Sequence, residues 1–168
     1  KPNRREVADL LEKPGYVIRR AHQMSVALFE AKLASFKITA PQHLVMTAIY
    51  KHPHVDQATL ADMVGLDKVT AGNIVMRLER RGLVERKRSP YNWRALALTV
   101  SKAGESLLLR TQDVVDATID EMFENLSTHE RTMLMRLLRR MIGAEPPSRA
   151  VNVRTSRAAA KSARPITS

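Results

Sequence analysis

Two aspartates place the strongest constraint on how this chain can fold. Asp56 and Asp67 each stand just before a short segment whose apolar residues recur at helical spacing, and Gly65 lies between the two segments. Aspartate at a helix start accepts hydrogen bonds from backbone amides that the helix leaves unpaired, and its charge suits the positive end of the helix dipole. Glycine supplies the left-handed turn that ends one helix and lets another begin at once. The first segment is expected to be a short helix with Leu60, Met63 and Val64 as its apolar positions. The second is expected to turn Val69, Ile74, Val75 and Leu78 inward and to stop at Gly82. Two apolar runs follow at 83–84 and 95–99, separated by a polar loop over 85–94. The expected order is helix, turn, helix and a two-stranded wing.

The side chains left outside suit double-stranded DNA. A helix entering the major groove needs short polar and basic groups near its N-terminus, where it meets base edges. Lys68, Thr70 and Asn73 occupy those positions, with Arg77 one turn further on. From Arg77 to Arg94 the basic residues include Arg80, Arg81, Arg86, Lys87 and Arg88, against only Glu79 and Glu85. Arg86, Lys87 and Arg88 are expected to contact phosphates, and Arg94 stands where a wing tip reaches a narrow minor groove. A solvated basic face on a small helical domain is the plainer alternative. The order of caps, turn and wing argues against it.

The run over 60–108, LADMVGLDKVTAGNIVMRLERRGLVERKRSPYNWRALALTVSKAGESLL, resembles the winged-helix core of the MarR family of bacterial transcription regulators. LERRGLVERKRSP, then RALALT, then Gly104 carry most of the resemblance, which extends over about residues 16–142. Members usually have Asp-Arg-Arg at the wing tip. Here Asn92, Trp93 and Arg94 stand instead, so the family's minor-groove arginine carries over to Arg94 alone. The resemblance implies a homodimer on a pseudo-palindromic operator, in most cases a repressor. It also implies a small-molecule effector bound between the dimer base and the DNA-binding lobe.

The rest of the chain fits that frame. A segment over 14–35 carries the stripe Val17, Ala21, Met24 and Leu28 and the neighbouring stripe Ile18, His22, Ser25 and Phe29. Thr39 with Gln42, and Ser127 with Glu130, form capping boxes for two further helices. Long apolar helices on both sides of one DNA-binding lobe (56–99) need more cover than one chain supplies, so 14–35 and 101–143 are expected to form a two-fold dimer. The domain is expected over 1–144, mainly α, with a basic disordered tail over 145–168 holding Arg149, Arg154, Arg157, Lys161 and Arg164.

Arg19, His22 and Ser25 share a face of the first helix and could bind a carboxylate or phenolate, with Met24, Phe29 and Met46 against a ring. The expected effector is a small aromatic carboxylate or its coenzyme A thioester, whose phosphates Arg19 and Arg20 could meet. The stretch IRRAHQMSVALF also resembles family members that control aromatic-acid catabolism. A dimer-interface hydrogen bond is the other reading of His22. A non-specific or architectural DNA-binding protein, or a regulator without any ligand, are the other readings of the chain.

Composition excludes several classes. There are 168 residues, 44% hydrophobic, with no cysteine and a formal charge of +11. The length suits one sizeable core, and the charge a polyanionic partner. No disulfide or thiol chemistry is available, which suits a reducing cytoplasm. No apolar run is long enough to span a membrane and no signal pattern opens the chain. No nucleophile–base arrangement or glycine-rich phosphate loop is present, so no enzyme and no cofactor are expected. His43, His52 and His54 raise the question of a metal, but His52 and His54 flank Pro53 in a loop with no carboxylate cluster beyond Asp56 and are read as solvent-facing, and no metal is expected.

Overall fold

A computed structural model describes residues 9–88 and 96–144. The expected tail over 145–168 and the wing tip with Arg94 lie outside the described residues. The elements are α1 (Pro14–Leu33), a 3-10 turn (Ala34–Phe36), α2 (Ala40–Lys51), α3 (Gln57–Val64), α4 (Lys68–Arg80), β1 (Val84–Arg88), β2 (Leu96–Val100), α5 (Lys102–Met122) and α6 (Thr128–Met141). This is the expected mainly helical winged helix-turn-helix. The chain forms two compact units, Lys1–Phe123 and Glu124–Ser168.

Local chemistry explains most boundaries in the first unit. Pro14 opens α1, where its missing N–H costs no hydrogen bond. Thr39 and Gln42 close the expected capping box at α2. Gly65 and Gly82 both have φ of +66°, the left-handed conformation that ends α3 and turns the chain from α4 into β1. The wing strands are antiparallel, with Val84 opposite Val100 and Arg88 opposite Leu96. Just before α3 the chain adds a bridge to this pair. The His54 amide donates to the Leu98 carbonyl, and the Leu98 amide to the Val55 carbonyl, both at 2.9 Å.

The core lies where α2, α3, α4, α5 and β2 meet the end of α1. Leu33, Val45, Met46, Ile49, Leu60, Val75, Leu78 and Leu98 are buried there, and Phe29 and Val115 pack against them. Each fully covered leucine or isoleucine contributes roughly 1.5–3 kcal/mol relative to an exposed one. Gly104 lets α5 start hard against the wing. A Cβ at this position would overlap the Leu83 carbonyl oxygen and Cγ1 of Val100.

Three expectations are corrected. Val69 is 73% exposed, not inward, because Ala71, Ile74, Val75 and Leu78 define the buried stripe of α4 and Val69 falls on the other side. Met63 is 44% exposed, leaving Leu60 and Ala61 as the covered residues of α3. The first wing strand runs to Arg88 and so takes in the first four residues of the expected polar loop. Its residues beyond Val84 are not buried, so they show no apolar alternation.

In the second unit, Ser127 caps α6. Its Oγ accepts from the Glu130 amide, and the Glu130 carboxylate accepts from the Ser127 amide at 2.8 Å. No residue of α6 is buried, and Leu134, Leu137 and Met141 are exposed.

Candidate nucleic-acid interface

The start of α4 is tied down by a single carboxylate. Oδ1 of Asp67 accepts from the Val69 and Thr70 amides at 3.0 and 2.9 Å, and the Thr70 hydroxyl donates to Oδ2 at 2.6 Å. Asp56 does the same for α3, accepting from the Ala58 and Thr59 amides and from the Thr59 hydroxyl at 2.6 Å. The threonine hydroxyl is the largest cause that holds each carboxyl below the usual aspartate range, followed by the threonine amide. Both helices of the motif are therefore capped by the same Asp-x-x-Thr device.

With its inward face set by Ala71, Ile74, Val75 and Leu78, α4 turns Lys68, Val69, Thr70, Asn73 and Arg77 to solvent. The three expected readers, Lys68, Thr70 and Asn73, are thus all exposed, as is Arg77. Thr70 is also part of the cap, so its hydroxyl proton is spent on Asp67 and its oxygen remains only as an acceptor. Val69 lies among these polar groups as an exposed apolar side chain.

The wing base is fastened to both neighbouring helices. The Ser101 hydroxyl donates to the Gly82 carbonyl at 2.6 Å and accepts from the Gly104 amide at 3.1 Å, while the Ser101 amide donates to the Leu83 carbonyl at 3.0 Å. Arg86 makes a bidentate pair with Glu79 of α4, Nε to Oε1 at 3.2 Å and Nη2 to Oε2 at 3.1 Å. Lys87 pairs with Glu85. Of the three expected phosphate contacts, Arg86 and Lys87 therefore already face a carboxylate. Arg88 is exposed at the end of β1.

The expected ligand residues divide. Arg19, His22 and Met24 are exposed on α1, and Ser25 and Phe29 are half-buried further along it. Met46 is enclosed in the core with 0% exposure, so its part is packing and the expectation of a ring contact there is set aside.

His43 sits on α2 and meets α5. Its Nε2 lies 3.0 Å from the Thr111 hydroxyl and its Nδ1 3.5 Å from the Thr47 hydroxyl. Thr111 can donate to the Leu107 or Leu108 carbonyl at 3.0 Å, which leaves its oxygen to accept from His43 and favours the Nε2–H tautomer. Burial pushes the His43 pKa down. This pair lies beside a cleft of about 310 Å³ between α2 and α5, lined also by Tyr50, Lys51, Leu109 and Gln112. No local spacing could have signalled it, because the partners are far apart in sequence. Among the described residues no three His, Asp or Glu side chains gather to hold a metal ion, and no helix is long and apolar enough to cross a membrane.

The chain as a whole is similar to known transcription regulators. A family model described as the MarR family matches residues 38–96. Transcriptional regulator HosA of Escherichia coli O111:H- is 30% identical over 135 residues, covering 80% of this chain and 98% of its own. HTH-type transcriptional repressor NicR of Pseudomonas putida is 27% identical over 137 residues, covering 82% and 87%. Among solved structures, Bordetella bronchiseptica BpsR superposes with a TM-score of 0.75 at 26% identity, covering 80% of this chain and 96% of that one. Its DNA binding is described as regulated by 6-hydroxynicotinic acid.

Proposed function

From membership of the MarR family of transcriptional regulators, to which this chain belongs, we propose that it is a homodimeric repressor released from its operator by a small aromatic acid or its coenzyme A thioester. The relatives are regulators and not enzymes, and the chain is a DNA-binding regulator of that kind. The carrying observation is the outer face of α4, where Lys68, Asn73 and Arg77 stand exposed along a helix whose start is locked by Asp67. Such a face can read base edges without first ordering itself. A repressor is favoured by the similarity to NicR, and an aromatic acid effector by the similarity to BpsR.

Dimerisation is supported by apolar side chains that one chain leaves uncovered, Val17, Ile18 and Met24 on α1 and Leu134, Leu137 and Met141 on α6. Covering them with a second copy would set two recognition helices at a fixed spacing. An effector lowers operator affinity only as far as it prefers a spacing that misfits successive major grooves. Arg19 and His22 are the candidate partners of its acidic group, and Ser25, Met24 and Phe29 stand on the same helix.

The test is operator release followed by fluorescence anisotropy, with 6-hydroxynicotinate and a panel of benzoates and their coenzyme A thioesters. One of them should release the DNA from the wild type, and Arg19→Ala should need about ten-fold more of it at unchanged DNA affinity. Release at equal concentration in both Arg19→Ala and His22→Ala would remove these residues from the effector site. Equal affinity for random and selected DNA would favour the architectural alternative.

A further inference from the structure

We infer that Val69 reads DNA sequence, by packing its two methyl groups against the 5-methyl of a thymine in the major groove. The inference rests on the reading that α4 enters that groove, and goes beyond it by naming the base at one operator position.

Folding does not account for valine here. At 73% exposure the side chain buries little on the chain's own core, whereas Ala71 and Val75 on the other side of α4 are fully covered. A β-branched residue is also a slightly poorer helix former than alanine. The residue lies in the first turn of α4, the part of a recognition helix that meets base edges.

Its neighbours narrow what this turn can read. Thr70 has committed its hydroxyl proton to Asp67, so the turn carries fewer donors than its composition suggests. Lys68, the residue before Val69, presents only donors. Between them stands a compact apolar group on a backbone fixed by the cap. Of the four bases in the major groove, only thymine offers an apolar partner. Valine holds one preferred χ1 rotamer in a helix, so little side-chain entropy is lost on contact.

The experiment uses the full chain and a duplex enriched by it from a random library. Each thymine of that duplex is replaced in turn by deoxyuridine, which removes the 5-methyl and nothing else. In each half-site one replacement should weaken wild-type binding about three- to five-fold, the effect of one methyl removed from an apolar contact. Val69→Ala should bind the thymine duplex as weakly as the wild type binds the deoxyuridine duplex, and should lose nothing more on the replacement. Its thermal midpoint should match the wild type, since the side chain supports no core. No sensitive thymine in the scan, or full sensitivity retained by Val69→Ala, would overturn the inference. Failure to enrich any duplex is a different result, which defeats the DNA-binding reading and this inference with it.

Discussion

The Thr70 hydroxyl donates to the Asp67 carboxylate at 2.6 Å, and this bond couples the start of α4 to the charge of one surface carboxyl. The bond lowers the Asp67 pKa, so in the folded chain the carboxylate persists to lower pH than in the unfolded one. The stability it contributes is complete above the ordinary aspartate range and is lost as pH falls through the folded value. Thr70→Val should therefore move the Asp67 carboxyl upward in an NMR titration while leaving Asp56, which has its own Thr59, unmoved. An unchanged Asp67 would mean that the backbone amides alone set its value.

The clamp at the wing base yields a stability prediction. Gly104→Ala places a methyl group where the Leu83 carbonyl and the Val100 side chain already sit. The Leu83 carbonyl is held by the Ser101 amide, so it has little room to withdraw. Overpacking of this kind costs about 1–3 kcal/mol, and the denaturant midpoint should fall accordingly. A midpoint equal to the wild type would show that α5 can shift away from the wing.

Glu79 holds Arg86 by two hydrogen bonds and so offsets a positive charge between α4 and β1. Glu79→Gln should release that charge. Affinity for random DNA should rise, and the slope of log affinity against log salt should steepen by up to about one phosphate's worth. A slope identical to the wild type would place Arg86 too far from the backbone to matter.

His43 makes stability depend on pH near neutrality. Burial lowers its pKa on folding, so neutral imidazole is favoured in the folded state. Stability is then complete above the ordinary histidine value and falls as pH drops through it toward the folded value. Thermal midpoints should decline from pH 7.5 to pH 5.5, and His43→Gln should flatten that decline. A decline of the same size in the variant would assign it to other groups.

Local chemistry made much of this fold legible in advance. The caps at Asp56, Asp67, Thr39 and Ser127 each need only a residue and its neighbours two or three places on, and all four formed as expected. The glycines at 65 and 82 likewise act through their own φ. What escaped depends on partners distant in sequence or on absolute helix phase. Val69 was misplaced because its apolar character outweighed the quieter signal of Ala71, the true first position of the buried stripe. The pairing of Arg86 with Glu79 and of His43 with Thr111 requires knowing which elements touch. Met46 looked like a candidate ring contact by type alone, and only the packing of α2 shows it enclosed.

Two copies of this chain are expected to present their α4 helices to successive major grooves of one duplex. Enrichment of bound duplexes from a random library, followed by sequencing, checks this. The expected product is an inverted repeat whose half-site centres lie about 10–10.5 base pairs apart, or a multiple of that. Binding by the purified chain should saturate at two protomers per duplex. Enrichment of a single unrepeated half-site bound by one protomer, or of no sequence at all, would contradict it.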